Sequence, residues 1–390
     1  MNKIKTSKAI PTKIFNMITS LFIKEKCALS PLDFCKMKSI IVVDTVDLIG
    51  DMVMQTSFMR ILKKNCKNAK ITVCARPVIK DMYDNQGFMD YFIPLSVSDS
   101  FLEKRSKLKE IGNKHFDMAI VPRGDVRDMF LLHYLNCDRK VSYTWTGGKH
   151  FLTDAIPAIY ENPYDHFIER RIYFLEAIGC NFSKEDIYPV LQLGEPEKSF
   201  SNSYSKINEV EGKFLIGVHA GASAPIREYD KYGEVINKIN LKYNNVLFLL
   251  FQGPGEENII DKLKDQLLDS VNYIIVHETF RKYMTIISKC NLFIGNDSGA
   301  GHIAAAFNVP VITVFTSALP EMVKPWGKNM ALNVCISHDY PCKPCFDNNK
   351  CKLGTIACKN TIKVEEIVAA VDKIINKLRN TNISLKETRT

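Results

Sequence analysis

Residues 292–315 read LFIGNDSGAGHIAAAFNVPVITVF, and the fold class follows from them. The opening LFI is a short apolar run suited to a buried parallel strand, and Gly295-Asn296-Asp297-Ser298-Gly299 is a tight polar turn. A helix starts near Ala300, carries the small residues Ala304-Ala305-Ala306, and is stopped by Asn308 and Pro310. VITVF then resumes as a second buried strand. Strand, turn, helix and strand make a βαβ unit. The turn at the carboxyl end of its first strand presents helix-start N–H groups, where the helix dipole favours an anion. Asp297, Ser298 and His302 are placed to bond a phosphate-bearing ligand there, and Gly299 and Ala300 are small enough to let it approach. The same pattern also serves plain helix packing, with His302 as a satisfied core histidine.

The alternation extends in both directions. Apolar β-rich runs at residues 39–43, 71–74, 91–95, 118–121 and 141–143 alternate with helical stretches at 52–66, 79–86, 101–114 and 126–136. Residues 162–179 read as a helix, and 181–205 as a polar, Pro-containing, Ser-rich connection. A second series follows, with strands at 214–218, 246–251 and 273–276 and helices at 230–242, 256–268 and 282–289, ending in the central unit. Residues 335–358 are Cys-rich and loop-like, 364–378 form an amphipathic helix, and 379–390 are expected to fray. The expected division is an extension over 1–36, an N-terminal α/β domain over 37–195, a linker over 196–212, a C-terminal α/β domain over 213–378 and a tail over 379–390. The two α/β halves are expected to face each other across a cleft.

Composition sets the class. A chain of 390 residues with 46% apolar and 24% charged residues is a globular protein of two domains rather than a fibrous or disordered one. The formal net charge of +9 favours phosphate-bearing ligands or anionic surfaces. Basic and aromatic residues do not interleave as a nucleic-acid surface requires, so nucleic acid is not an expected partner. The 12 cysteines include several inside apolar runs, and no secretory signal precedes them, which points to a reducing cytosol. Residues 14–23, IFNMITSLFI, are apolar and flanked by lysines, and too short to span a bilayer. They form either a basic amphipathic helix lying on an anionic membrane surface or an extra helix packed on the domain.

Four further motifs carry candidate chemistry. Residues 44–51, DTVDLIGD, end the first strand. Gly50 permits a tight turn, and Asp51 opens the next helix either as a base or as a carboxylate favoured by the helix dipole. Residues 219–227, HAGASAPIR, offer a phosphate cradle from the backbone at Gly221, the Ser223 hydroxyl and the Arg227 charge. Residues 252–257, QGPGEE, place Glu256 and Glu257 after a Gly-rich turn, where a carboxylate bonds a ribose hydroxyl or simply starts a helix. Cys342, Cys345, Cys351 and Cys358 form either a tetrahedral zinc site or a structural thiol cluster.

In this order the motifs resemble the bacterial heptosyltransferases of glycosyltransferase family 9, which build the lipopolysaccharide core on a GT-B fold of two Rossmann-like domains. The matching pieces are IIVVDTVDLIGDMVMQTSFMRIL, HAGAS with the following Arg227, GPGEE, DSGAGHIAAAFNVPVITVF and the PCKPCF segment, together covering about residues 38–375. The resemblance implies an inverting transfer of heptose or a related sugar from a nucleotide-diphosphate sugar, ADP-heptose-like, to a lipid-linked saccharide, with no cofactor and no metal. Asp51 would be the general base, and Arg227 with Gly221 and Ser223 would hold the donor phosphates. Glu256 would contact the ribose, Ser298, Gly299, Ala300 and His302 would surround the pyrophosphate, and Asp297 would meet the donor sugar. The family usually carries Lys where Arg227 stands and often Gly where Thr316 stands. The alternatives are a nucleotide-sugar epimerase of the same fold and a non-catalytic paralogue that binds nucleotide sugar or nucleic acid. The expected location is cytoplasmic, peripheral at the inner membrane face.

Overall fold

The structure is a computed structural model describing residues 12–26, 31–45, 48–96, 98–111, 114–157, 165–345, 351 and 353–387, with side chains to residue 380. It divides into two compact units. The first comprises Met1–Asp47, Phe58–Pro163 and Glu169–Ile187; the second comprises Leu48–Ser57, Tyr164–Ile168 and Tyr188–Thr390.

Unit 1 opens with α1 (Thr12–Ser20). It continues through β1 (Ser39–Val43), α2 (Ile49–Asn65), β2 (Lys70–Ala75), α3 (Pro77–Tyr83), β3 (Tyr91–Pro94), α4 (Phe101–Glu110), β4 (His115–Val121), α5 (Val126–Leu131), β5 (Asn136–Tyr143), β6 (Asp154–Ile156) and α6 (Phe167–Ala177). The starts of α2 and α6 belong to unit 2. The strands pair in parallel in the order β3-β2-β1-β4-β5-β6. Parallel strands covered on both faces need apolar residues throughout, and Ile40, Ile41, Val42 and Val43 are all fully buried. Local chemistry sets the helix starts. Ser100 and Glu103 form a capping box on α4, Pro77 opens α3, and Asp125 accepts the Arg127 N–H at α5.

Unit 2 runs through α7 (Glu195–Ile207), β7 (Phe214–His219), α8 (Tyr232–Lys242), β8 (Val246–Phe251), α9 (Glu257–Lys264), β9 (Tyr273–Val276), α10 (Phe280–Ile287), β10 (Leu292–Asn296), α11 (Gly299–Ala306), β11 (Val311–Phe315), α12 (Pro320–Val323), β12 (Val334–Ser337) and α13 (Val364–Glu387). Its parallel sheet has the order β12-β11-β10-β7-β8-β9. Every residue of VLFLLF in β8 is buried, and α13 packs on α8, β11 and β12, with Ile367, Val371 and Ile374 joining the buried cluster that holds Ile216, Leu250 and Val314. Each sheet winds outward from a central strand pair, β1/β4 in unit 1 and β7/β10 in unit 2. In such sheets the crevice beyond the carboxyl ends of that pair is where ligands bind.

Three expectations change. The second part of the connection at 181–205 and most of the linker at 196–212 form helix α7 (Glu195–Ile207). Pro196 stands in its first turn, the Gly194 N–H donates to Glu197 at 2.8 Å, and Glu197 pairs with Arg281 at 2.6 Å. The Cys-rich 335–358 segment begins as strand, because β12 pairs with β11 in register from Ile312↔Val334 to Phe315↔Ser337. The tail does not fray at 379. α13 continues to Glu387, since neither Gly nor Pro follows Val364 to stop it. The residues of the extension at 1–11 and 27–30, residues 46 and 47 in the first motif, residues 162–164 of the helix expected at 162–179, residues 346–350 and 352 of the Cys segment and the final 388–390 lie outside the described residues.

Candidate active site at the β7/β10 switch

The loops at the carboxyl ends of β7, β8 and β10 carry the second, third and central motifs, so sheet order alone brings them together in unit 2. Asn296, the last residue of β10, ties them. Its Nδ2 donates to the Ala220 carbonyl at 2.7 Å, and its Oδ1 accepts from the Tyr229 N–H at 3.0 Å and the Tyr232 hydroxyl at 2.9 Å. Thr316, after β11, donates to the Ile226 carbonyl at 2.7 Å and fixes the loop that ends in Arg227.

Arg227 reaches Asp297, Nη1 to Oδ2 3.2 Å, and both side chains are largely buried. Burial pushes the Asp297 carboxyl up to about 6; the Arg227 charge opposes the rise and the Asp51 charge adds to it. Asp51 itself is buried in the first turn of α2, on the stretch of that helix that belongs to unit 2. The starts of α2 and α11 touch. A Cβ on Gly50 would lie 2.7 Å from the His302 ring, and one on Gly299 would lie 2.8 Å from Ile49. Both glycines are therefore required by close approach rather than by backbone conformation. Ser298 is the extended residue before α11 and makes no side-chain capping bond, so its hydroxyl is turned to another partner.

That partner is His219. Its Nδ1 lies 3.2 Å from Ser298 Oγ and its Nε2 lies 3.0 Å from Glu256 Oε2, which also accepts the Gly253 N–H at 2.6 Å. Burial alone would raise the Glu256 carboxyl. The hydrogen bond and charge of His219, with the Gly253 N–H, outweigh it and hold Glu256 below the usual range. Glu256 lies over the backbone at Gly221, where a Cβ would stand 2.0 Å from Oε1.

Of the residues read from sequence, Asp51, Gly221, Arg227, Glu256, Asp297, Ser298, Gly299, Ala300 and His302 all lie in unit 2, on the loops after β7, β8 and β10 or on the starts of α2 and α11. Ser223 is exposed on the loop, and Glu257 is exposed on α9, which leaves Glu256 as the inward carboxylate. His219 and Asn296 were not singled out. Their roles rest on partners 37 and 76 residues away, which spacing within a motif does not reveal. Unit 1 has a second buried group at its own switch. Thr45, just beyond β1, donates its N–H and hydroxyl to Asp128 at 2.9 and 2.6 Å, and Lys104 approaches Thr45 Oγ1 at 3.4 Å.

Cys342, Cys345, Cys351 and Cys358 line one cavity of about 10 Å³ with Tyr340 and Ile356. The Ile356 N–H donates to Cys351 Sγ at 3.3 Å and holds that thiol below the ordinary range. Among the described residues, the group with ligand atoms within 4.8 Å of one another is instead His115, Asp117 and Asp138. These atoms are already engaged, His115 with Asp138 and Asp117 with the N–H groups of Lys38 and Ser39.

The ionisation of Asp297 makes a stability prediction. Its folded value, about 6, is above the ordinary 3.8, so between these the folded state keeps a proton that the unfolded chain releases. The stabilisation is complete below the lower value and lost as pH rises through the upper one. Relative to Asp297→Asn, the wild type should lose about 3 kcal/mol between about pH 4 and about pH 7. Urea unfolding of both proteins across that range measures it, and parallel profiles would exclude the buried carboxyl as the source.

This geometry has known relatives. The sequence model of glycosyltransferase family 9 (heptosyltransferase) matches residues 105–356. A lipooligosaccharide heptosyltransferase 2 of Campylobacter jejuni is 22% identical over 333 residues, 84% of this chain and 96% of that protein. A family 9 glycosyl transferase from Veillonella parvula superimposes with a TM-score of 0.73 at 16% identity, over 89% of this chain and 100% of that one. The ADP-heptose lipopolysaccharide heptosyltransferase II of Escherichia coli does so with a TM-score of 0.70 at 18% identity, over 88% and 100%. Two Rossmann-like parallel sheets and a family match over more than half the chain agree: the chain belongs to glycosyltransferase family 9, the heptosyltransferases.

Proposed function

We propose that the chain is an inverting heptosyltransferase that moves a sugar from an ADP-heptose-like donor to a lipid-linked saccharide of the lipopolysaccharide type. The observation that supports this reading is the close packing of the α2 start, which carries the buried Asp51, on the α11 start at Gly299 and His302, beside the Arg227–Asp297 pair. The donor and acceptor classes are those named for the Campylobacter and Escherichia relatives.

In the proposed reaction the acceptor hydroxyl attacks the anomeric carbon from the face opposite the leaving group. Its proton passes to the Asp51 carboxylate as the new C–O bond forms. The bond to the diphosphate breaks, and the nucleoside diphosphate leaves with the electron pair. Arg227, the N–H groups at Gly299 and Ala300, and His302 stabilise the charge that develops on it, so divalent metal has no required part. Glu256, aimed by His219, receives the ribose hydroxyls, and Asp297 contacts the donor sugar. The acceptor is met at an anionic membrane surface on the cytoplasmic side.

The test is product analysis after mixing the full chain, ADP-heptose and a lipid-linked core acceptor in EDTA. A glycosylated lipid with inverted anomeric configuration is the expected product. Isomerised nucleotide sugar formed without acceptor would establish the epimerase reading in its place, and unchanged donor would favour a binding paralogue.

A further inference from the structure

α1 has two faces with different surroundings. One is fastened to unit 1. The Phe15 ring packs edge-on against Phe130 at 5.4 Å, Asn16 Nδ2 donates to the Thr146 carbonyl at 2.9 Å, and Thr19 Oγ1 lies 2.9 Å from His150 Nε2. The chain after the helix is held as well, by the Glu25 N–H to the His150 carbonyl at 3.0 Å and by an ion pair of Glu25 with the buried Lys140.

The other face is apolar and lies in solvent. Ile14, Met17, Ile18, Leu21 and Phe22 follow one another at helical spacing, and Met17, Leu21 and Phe22 are 63%, 76% and 82% exposed. Phe15 is half-buried against unit 1 while Leu21 and Phe22 remain in water, and a contiguous exposed apolar patch of this kind marks an interaction site. Within residues 12–26 the charged side chains are Lys13, Lys24, Lys26 and Glu25, and Glu25 is turned to Lys140, which leaves the lysines flanking this face. Lys13, Lys24 and Lys26 are exposed at the two ends of the stripe.

We infer that α1 and the turn after it dock unit 1 on an anionic lipid bilayer, with Leu21 and Phe22 entering the headgroup boundary and the lysines meeting lipid phosphates. At nine residues α1 is about 14 Å long, enough to lie in that layer and far short of crossing it. Among the described residues no helix is long and apolar enough to cross a membrane. The positive surround selects an anionic membrane over a neutral one, and a second copy of this chain would bring like charge against like. Two weak terms, apolar insertion and lysine attraction, give reversible attachment. The inference extends the reading of a lipid-linked acceptor, but vesicle binding needs no substrate, so either can fail without the other.

The experiment is co-sedimentation of the full chain with vesicles of phosphatidylcholine alone or mixed with phosphatidylglycerol, for the wild type and the Leu21→Ser/Phe22→Ser double variant. The wild type should bind the mixed vesicles, lose binding as salt rises, and bind neutral vesicles at least tenfold more weakly. The double variant should lose at least tenfold on mixed vesicles while keeping its melting temperature and its nucleotide affinity. Equal binding by both proteins, or no binding to the mixed vesicles, would overturn the inference. So would a wild-type dimer in sedimentation velocity that the double variant abolishes, since that assigns the face to a second copy.

Discussion

Replacing Asp51 by Ala should lower turnover roughly a hundredfold to ten-thousandfold, the contribution of a positioned general base, and leave donor affinity within a few-fold of wild type. The separation is the informative part. Asp51 opens α2, whereas the proposed phosphate contacts come from Arg227 and the start of α11, so on this reading removing the carboxylate takes away the proton acceptor and none of those contacts. Folding should be little affected, because the favourable interaction of one carboxylate with a helix start is about 0.3–1 kcal/mol. There is also an internal check. The Asp51 charge helps to hold Asp297 up, so the variant should titrate Asp297 at a lower pH than the wild type does. Steady-state kinetics with calorimetric donor binding measures both. Unchanged turnover would remove Asp51 as the base, and loss of binding alongside turnover would make it a donor contact.

Arg227→Ala should show the opposite pattern, with donor affinity lost first. A charge-assisted bond to phosphate contributes about 1.5–3 kcal/mol, so the dissociation constant for ADP should rise roughly tenfold to over a hundredfold. The variant also leaves Asp297 buried without the guanidinium 3.2 Å away, which costs about 3–5 kcal/mol in comparable buried pairs and pushes the carboxyl further up. Arg227→Lys separates the two effects. It restores a point charge beside Asp297 and hence most of the stability, but not the planar fork that grips two phosphate oxygens. Wild-type affinity for ADP in the Ala variant would move the phosphate site away from this loop.

The motifs were legible because they sit where the fold exposes chemistry. Loops at the ends of parallel strands carry Gly, Asp, Ser and Arg against a run of apolar residues, and β8 or β10 can be read on sight. α7 was hidden for the reverse reason. Its EPEKSFSNSYSKI has the composition of a linker, and what makes it a helix is the Gly194–Glu197 start and the Glu197–Arg281 pair, an interaction across 84 residues. β12 was obscured by the cysteine beside it, since only pairing with β11 distinguishes VCIS from loop. In the site, the residues that touch a ligand in the proposed reaction were readable, and those that aim them were not. His219 and Asn296 look like ordinary strand ends until β7, β8 and β10 lie side by side.

The central claim is that the β7/β10 crevice of unit 2 is a nucleotide-diphosphate-sugar site that works without metal. Calorimetric titration of the full chain with ADP-heptose, with and without EDTA, tests it most directly. Saturable binding, equal in the two conditions and weakened by Arg227→Ala, is the predicted result. Absence of binding, or binding that EDTA abolishes, would contradict it.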